Sequence, residues 1–171
     1  MTPTPDIDPD GRRVAGAGVA DELSGLLTAS SVLVCVGQAL RGDDGAAPAL
    51  AEAIDGTVCW PVFNAQTAPE SFLGKIVAAQ PEVVLVIDTL DVGAPAGSVR
   101  LFGPEQLTGI GPSTHGPAPL TFIEALRLMH PCRCRVLGIQ PQCTELGAPL
   151  SAPVAAAVQR VAGVLRRLSA G

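Results

Sequence analysis

The stretch Ser31-Val-Leu-Val-Cys-Val36-Gly37-Gln-Ala-Leu-Arg-Gly-Asp43-Asp44-Gly45 decides the fold. Its first six residues form an apolar run of strand length without polar alternation, the pattern of a strand buried on both faces. A glycine-rich loop follows, and residues from about Ala46 to Ile54 read as a helix. Strand, tight loop and helix in that order open a βαβ unit. Two more runs repeat the strand signal, Val83-Val-Leu-Val-Ile87 and the segment from Arg133 to Ile139.

Working outward, Val19 to Leu27 places Val19, Leu23, Leu26 and Leu27 at helical spacing and predicts a short leading helix. Thr57 to Phe63 is a weaker strand, and Pro61, which has no amide to donate, assigns it to a sheet edge. Pro69 to Ala79 is helical, with Pro69 suited to the first turn. Gly93-Ala-Pro-Ala-Gly97 turns the chain back into Ser98 to Phe102, expected as an antiparallel neighbour. A long glycine- and proline-rich loop spans Gly103 to Pro117. Helices are expected from about Pro119 to Leu128 and from Pro153 to Leu168. Strands alternating with helices argue an α/β fold, a three-layer αβα sandwich with a mostly parallel central sheet and one antiparallel strand. Residues 1–30 are expected to be a flexible tail with the short leading helix, and residues 31–171 a single α/β domain.

Composition narrows the function. Hydrophobic residues make up 47% of the 171-residue chain and charged residues only 16%, which excludes a disordered polypeptide. The net charge is −5, Lys75 is the single lysine, and no basic run is present, so no stripe is available to neutralise nucleic-acid phosphates. No segment reaches the roughly 18 apolar residues of a membrane span. Met1 to Asp10 is rich in proline and aspartate and has no apolar signal core. The five cysteines, an odd number, lie mostly in or near strands and read as reduced thiols. The expected setting is cytoplasmic, without nucleic acid and without membrane insertion.

Ligands of an open α/β sheet bind beyond the carboxyl ends of its strands. The first strand ends in the loop carrying Asp43 and Asp44. The second ends in Asp88, followed by Asp91 and Gly93, and the long loop before the next helix carries Ser113-Thr-His115-Gly116. Two carboxylates and one imidazole on one edge suit a divalent transition metal. Each has a plainer role on its own. Asp43 or Asp44 is suited to capping the helix that begins near Ala46, Asp88 to ending a strand, and a lone loop histidine to structure. Their joint placement favours the functional reading. His130-Pro-Cys132-Arg-Cys134 has the letters of a metal site but no second matching pair. The Gly37 to Gly45 loop lacks the lysine and hydroxyl of a P-loop, and the H-E-x-x-H and G-x-S-x-G motifs are absent.

Cys35-Val-Gly-Gln-Ala-Leu-Arg-Gly-Asp-Asp-Gly45 resembles the opening signature of the hydrogenase maturation endopeptidases. Val86-Ile-Asp-Thr-Leu-Asp-Val-Gly93 is similar to that family's second aspartate segment, and Ser113-Thr-His-Gly116 to its histidine segment. Ala68-Pro-Glu70 and Gly138-Ile-Gln-Pro141 resemble the branch serving formate-hydrogenlyase-type hydrogenases. Gln38 departs from the family's usual asparagine. The resemblance implies an aspartyl-type endopeptidase that removes the C-terminal extension of a nickel-loaded [NiFe]-hydrogenase large-subunit precursor. It implies that Asp44, Asp88 and His115 are catalytic and contact the nickel, which the precursor contributes, and that Asp43 is a capping or supporting neighbour. The rival readings are a receiver-like phosphoacceptor domain binding magnesium, a spore-germination-type protease of related fold, and a non-catalytic metal- or peptide-binding module. A receiver resembles this chain only if a lysine follows the last strand, where Gly138-Ile-Gln-Pro141 stands instead.

Overall fold

The computed structural model describes residues 17–109 and 118–171. In chain order the elements are α1 (Ala17–Leu26), β1 (Ser31–Val36), α2 (Ala46–Ile54), β2 (Val62–Gln66), α3 (Leu73–Ala78), β3 (Val83–Thr89), β4 (Val99–Phe102), α4 (Ala118–Met129), β5 (Arg133–Ile139) and α5 (Ala152–Ala170). Short 3-10 turns precede α2 and α3, and another follows β4. The five strands form one sheet in the order β2-β1-β3-β5-β4. β1 pairs in parallel with β2 and β3, and β3 with β5, while β4 runs antiparallel to β5.

The continuous apolar runs are the central strands, and their side chains divide by parity between the two faces. Leu33, Cys35, Leu85, Ile87, Leu137 and Ile139 pack on α1, α2 and α5. Val32, Val34, Val84, Val86 and Val136 pack on the other face with Ile76 of α3 and Phe122, Ile123 and Leu126 of α4. This is the expected three-layer arrangement. Leu85 and Ile87 are wholly enclosed, and truncating either to alanine costs about 2–5 kcal/mol by precedent for such sites. Leading helix α1 is part of this core, because Leu23 is fully buried in the first layer.

Two elements differ from the sequence reading. The edge strand β2 begins at Val62 rather than Thr57, because Pro61 has no amide to enter the ladder and contributes only its carbonyl, to Leu33 N at 3.0 Å. The residues before it form a turn in which the Trp60 indole donates to Thr28 O at 2.7 Å. β4 is antiparallel as expected, but its neighbour is β5 and not the preceding β3. The buried β5 occupies the slot beside β3, and β4, which carries Arg100, takes the edge. The predicted helix over Pro69–Ala79 is a 3-10 turn, Pro69–Phe72, followed by α3, and the change comes at Phe72, whose ring rests 5.7 Å from that of Phe63.

Chain order places the topological switch between β1 and β3. From β1 the connection through α2 leads to β2 on one side, and the connection through α3 leads back to β3 on the other. The carboxyl ends of these two strands carry the acidic loop and Asp88, where an open sheet binds its ligands.

Candidate active site

The loop after β1 is shaped by two glycines. Gly37 has φ +150°, and a Cβ there would lie 2.1 Å from Asp44 O. Gly42 has φ +53°, and its Cβ would lie 2.4 Å from Cys143 O. Any side chain at either position collides with backbone, so the tight path of the loop requires glycine. Within it, Gln38 N donates to Asp44 Oδ2 at 3.0 Å and draws that carboxylate back over the end of β1. The departure at Gln38 thus leaves a loop-locking bond in place, because the main chain makes it.

Asp43 turns the other way. It is fully buried, and its carboxylate accepts four hydrogen bonds from the segment between β5 and α5. Oδ2 takes Gln142 N at 2.7 Å, Cys143 N at 2.9 Å and Ser151 Oγ at 2.8 Å, and Oδ1 takes Ser151 N at 2.6 Å. Burial pushes its pKa up, but the amides of Cys143, Ser151 and Gln142 and the Ser151 hydroxyl outweigh it and hold Asp43 below the usual carboxylate range. Asp43 therefore does not cap α2. Gly45 stands at the N-cap without a side-chain bond, and Ala46 N is already satisfied by the Asp43 backbone carbonyl through the 3-10 turn Gly42–Gly45. The supporting half of the expectation describes it, as a clamp between two distant loops.

The clamp is reinforced along both backbones. Asp43 N donates to Cys143 O at 2.8 Å, Gly42 N to Ala148 O at 3.1 Å, and Gly147 N to Leu40 O at 2.8 Å. Thr89 Oγ1, at the end of β3, donates to Asp43 O at 3.0 Å and ties the second strand to the same loop. Gln142, Cys143, Ser151 and Thr89 complete the clamp. Their contribution is mostly main-chain amide, which any residue but proline supplies, so no sequence signal marks them.

Asp88 is buried at 8% exposure at the end of β3, and its Oδ1 accepts Thr89 N at 2.7 Å. Burial raises its pKa to about 8; the Thr89 amide opposes the rise and the nearby charge of Asp44 adds to it. A cation placed between Asp44 and Asp88 would offset the cost of burying the Asp88 charge and relieve the repulsion.

Beyond Asp88 the chain is latched by Gln140, a buried residue at the end of β5. Its Oε1 accepts Val92 N at 2.8 Å and Ala94 N at 3.2 Å, and its Nε2 donates to Asp91 Oδ1 at 3.1 Å. The amide of Gln140 and then that of Gly93 hold Asp91 below its ordinary pKa. Asp91 is therefore a loop-bracing carboxylate.

Asp44 lies near enough to Asp88 for its charge to act on it, while His115, with Ser113, Thr114 and Gly116, lies outside the described residues. Among the described residues no three His, Cys, Asp or Glu side chains are grouped to hold a metal. At His130-Pro-Cys132-Arg-Cys134 the His130 ring nitrogen faces Pro81 O at 2.9 Å, and the two thiols stand 3.6 Å apart. Burial, then the neighbouring Cys132, pushes the Cys134 thiol up to about 12, and burial alone does the same for Cys35. None of the helices among the described residues is long and apolar enough to cross a membrane.

Comparison with known proteins identifies the family. Residues 47–167 match the family model described as HycI, hydrogenase maturation protease. Over 134 residues, 77% of this chain and 86% of the relative, the chain is 31% identical to the Hydrogenase 3 maturation protease of Escherichia coli K12. The crystal structure of a [NiFe] hydrogenase maturation protease HycI from Thermococcus kodakarensis KOD1 superposes with a TM-score of 0.80 at 25% identity, covering 90% of this chain and 99% of that one. The solution structure of the Escherichia coli endopeptidase HycI gives 0.74 at 30% identity, covering 81% and 90%. The chain belongs to the HycI family of hydrogenase maturation proteases.

Proposed function

We propose that this protein removes the C-terminal extension of a [NiFe]-hydrogenase large-subunit precursor once nickel has been inserted, and that Asp44, Asp88 and His115 contact that nickel. The observation that carries this reading is the pair of carboxyls at the switch between β1 and β3. Asp88 is raised to about 8 by burial and, in part, by Asp44, so the pair is poised for a positive partner. Strand parity places Asp88 with Val84 and Val86 on the face where α4 packs. His115 stands three positions before α4 in sequence, and in this reading it completes the ligand set.

Nickel is part of the substrate here, held by the precursor's own thiolates. Imidazole and carboxylate are suitable additional ligands for it, and contact with them docks the scissile bond against the end of the sheet. Polarisation of a carbonyl or of water by the ion then eases hydrolysis. The catalytic class in this reading is aspartyl-type, and the place of action is the cytoplasm.

The test is processing of a purified precursor, followed by mass spectrometry of its C-terminus. The nickel-loaded form should be shortened and the nickel-free form left intact. Equal cleavage of both would end the case for nickel recognition.

A further inference from the structure

Among the described residues, the exposed large hydrophobic side chains are Leu40, Leu146, Leu128 and Met129. Leu128 and Met129 end α4, at the amino-terminal edge of the sheet. Leu40 and Leu146, 69% and 76% exposed, lie at the opposite edge beside the acidic pair. Isolated surface leucines are ordinary, but these two share a place and a support. Gly147 N donates to Leu40 O at 2.8 Å, so their backbones run side by side.

Both loops are braced. Arg41 N donates to Gln38 O at 3.0 Å, Arg41 Nε to Thr144 O at 3.3 Å, and Asp44 N to Arg41 O at 3.0 Å. The Asp43 carboxylate holds the second loop through Gln142 and Cys143 on one flank of Leu146 and Ser151 on the other. Hydrogen bonding therefore fixes the backbone that carries two exposed aliphatic side chains, one of them, Leu40, four residues before Asp44.

We propose that Leu40 and Leu146 form an apolar docking platform for the precursor's polypeptide next to the scissile bond. The proposal rests on the function given above and deepens it. A family of proteases must hold an extended chain as well as the reacting group. A pre-fixed apolar surface does so at low ordering cost, by removing water from the precursor's apolar side chains. Leu40 lies four residues before Asp44, and the loop that carries Leu146 is bonded to Asp43, so a chain seated on the leucines lies at the same edge of the sheet as Asp44 and Asp88. The platform sets affinity and the acidic end sets turnover, which separates their kinetic signatures.

The experiment measures binding and cleavage of the nickel-loaded precursor side by side. It uses the wild type, the double variant Leu40→Ser/Leu146→Ser, the conservative Leu40→Met/Leu146→Met, and Leu128→Ser as a remote control. The serine pair should weaken Kd and raise KM by about tenfold or more while kcat changes less than about threefold. The methionine pair should restore most of the affinity, Leu128→Ser should match wild type, and melting temperatures should agree across the set. Unchanged Kd in the serine pair, or a fall in kcat at constant KM, overturns the platform. So does a concentration-dependent dimer of the wild type that the serine pair dissolves, since a second copy would then be the occupant. Should the wild type bind the precursor without cutting it, the proposed activity fails, and the Kd values still decide the platform.

Discussion

Asp43 holds Ser151 through both of that residue's donors, the amide at 2.6 Å and the hydroxyl at 2.8 Å. This links the loop after β1 to the N-cap residue of α5, 108 positions later. The same carboxylate takes the amides of Gln142 and Cys143, so one side chain closes the floor beneath Asp44.

Asp43→Ala should be among the most damaging single changes in the molecule. It strands three amides and a hydroxyl in partly buried surroundings, at about 1–3 kcal/mol for each group left unpaired and not rescued by water. A loss of roughly 3–5 kcal/mol in chemical denaturation is expected. Because the folded pKa of Asp43 is lowered, its contribution is complete above the ordinary carboxylate value of 3.8 and fades as pH falls through the lower folded value. The stability gap between wild type and Asp43→Asn should therefore narrow in strong acid. A gap independent of pH would show that the carboxylate charge is not what the loop needs.

Asp88 has the opposite sign. Its folded pKa is raised to about 8 from 3.8, so it stabilises fully below the ordinary value, and that contribution is lost as pH rises through about 8. Asp88→Asn should be more stable than wild type at pH 9, by an amount on the order of 1–3 kcal/mol, with the advantage falling away towards pH 6. Denaturant midpoints across this range provide the check. A wild-type advantage at pH 9 would mean that Asp88 is not strained by burial.

Asp44→Asn, Asp88→Asn and His115→Ala should each reduce precursor processing by about a hundredfold or more while circular dichroism remains native. Asp91→Asn, which alters a loop brace, should retain most activity. Full activity in all of the first three would place the chemistry elsewhere.

Gly42→Ala and Gly37→Ala insert a Cβ against the carbonyl oxygens of Cys143 and Asp44 respectively, at positive φ. Each should cost about 2 kcal/mol or more, and processing should drop further than stability alone explains, because the acidic loop is displaced. Thermal melts with parallel activity assays separate the two effects. An alanine tolerated at Gly42 would contradict the close packing of the two loops.

Gln140→Leu keeps the buried volume but removes the latch on residues 91–94. Hydrogen exchange at Val92 and Ala94 should speed up markedly, with a global cost of about 1–3 kcal/mol. Unaltered protection of both amides would show that something else holds this loop.

The central strands and helices were legible along the chain because the information is local. Runs such as Ser31–Val36, Val83–Ile87 and Arg133–Ile139 can bury both faces only inside a parallel sheet, and their ends place Asp43, Asp44 and Asp88 at its carboxyl edge. The family could be recognised from the same acidic, aspartate and histidine segments. Tertiary structure alone decided how Asp43 and Asp44 divide their work. Neighbours in sequence, they point to different partners because the segment from Gln142 to Ser151 folds back from about a hundred residues away to claim the first, while the amide of Gln38 claims the second. It also decided that β4 lies against β5, and that burial pushes the Asp88 carboxyl up to about 8. Both follow from which surfaces are removed from water when distant elements close together, a quantity no local pattern encodes.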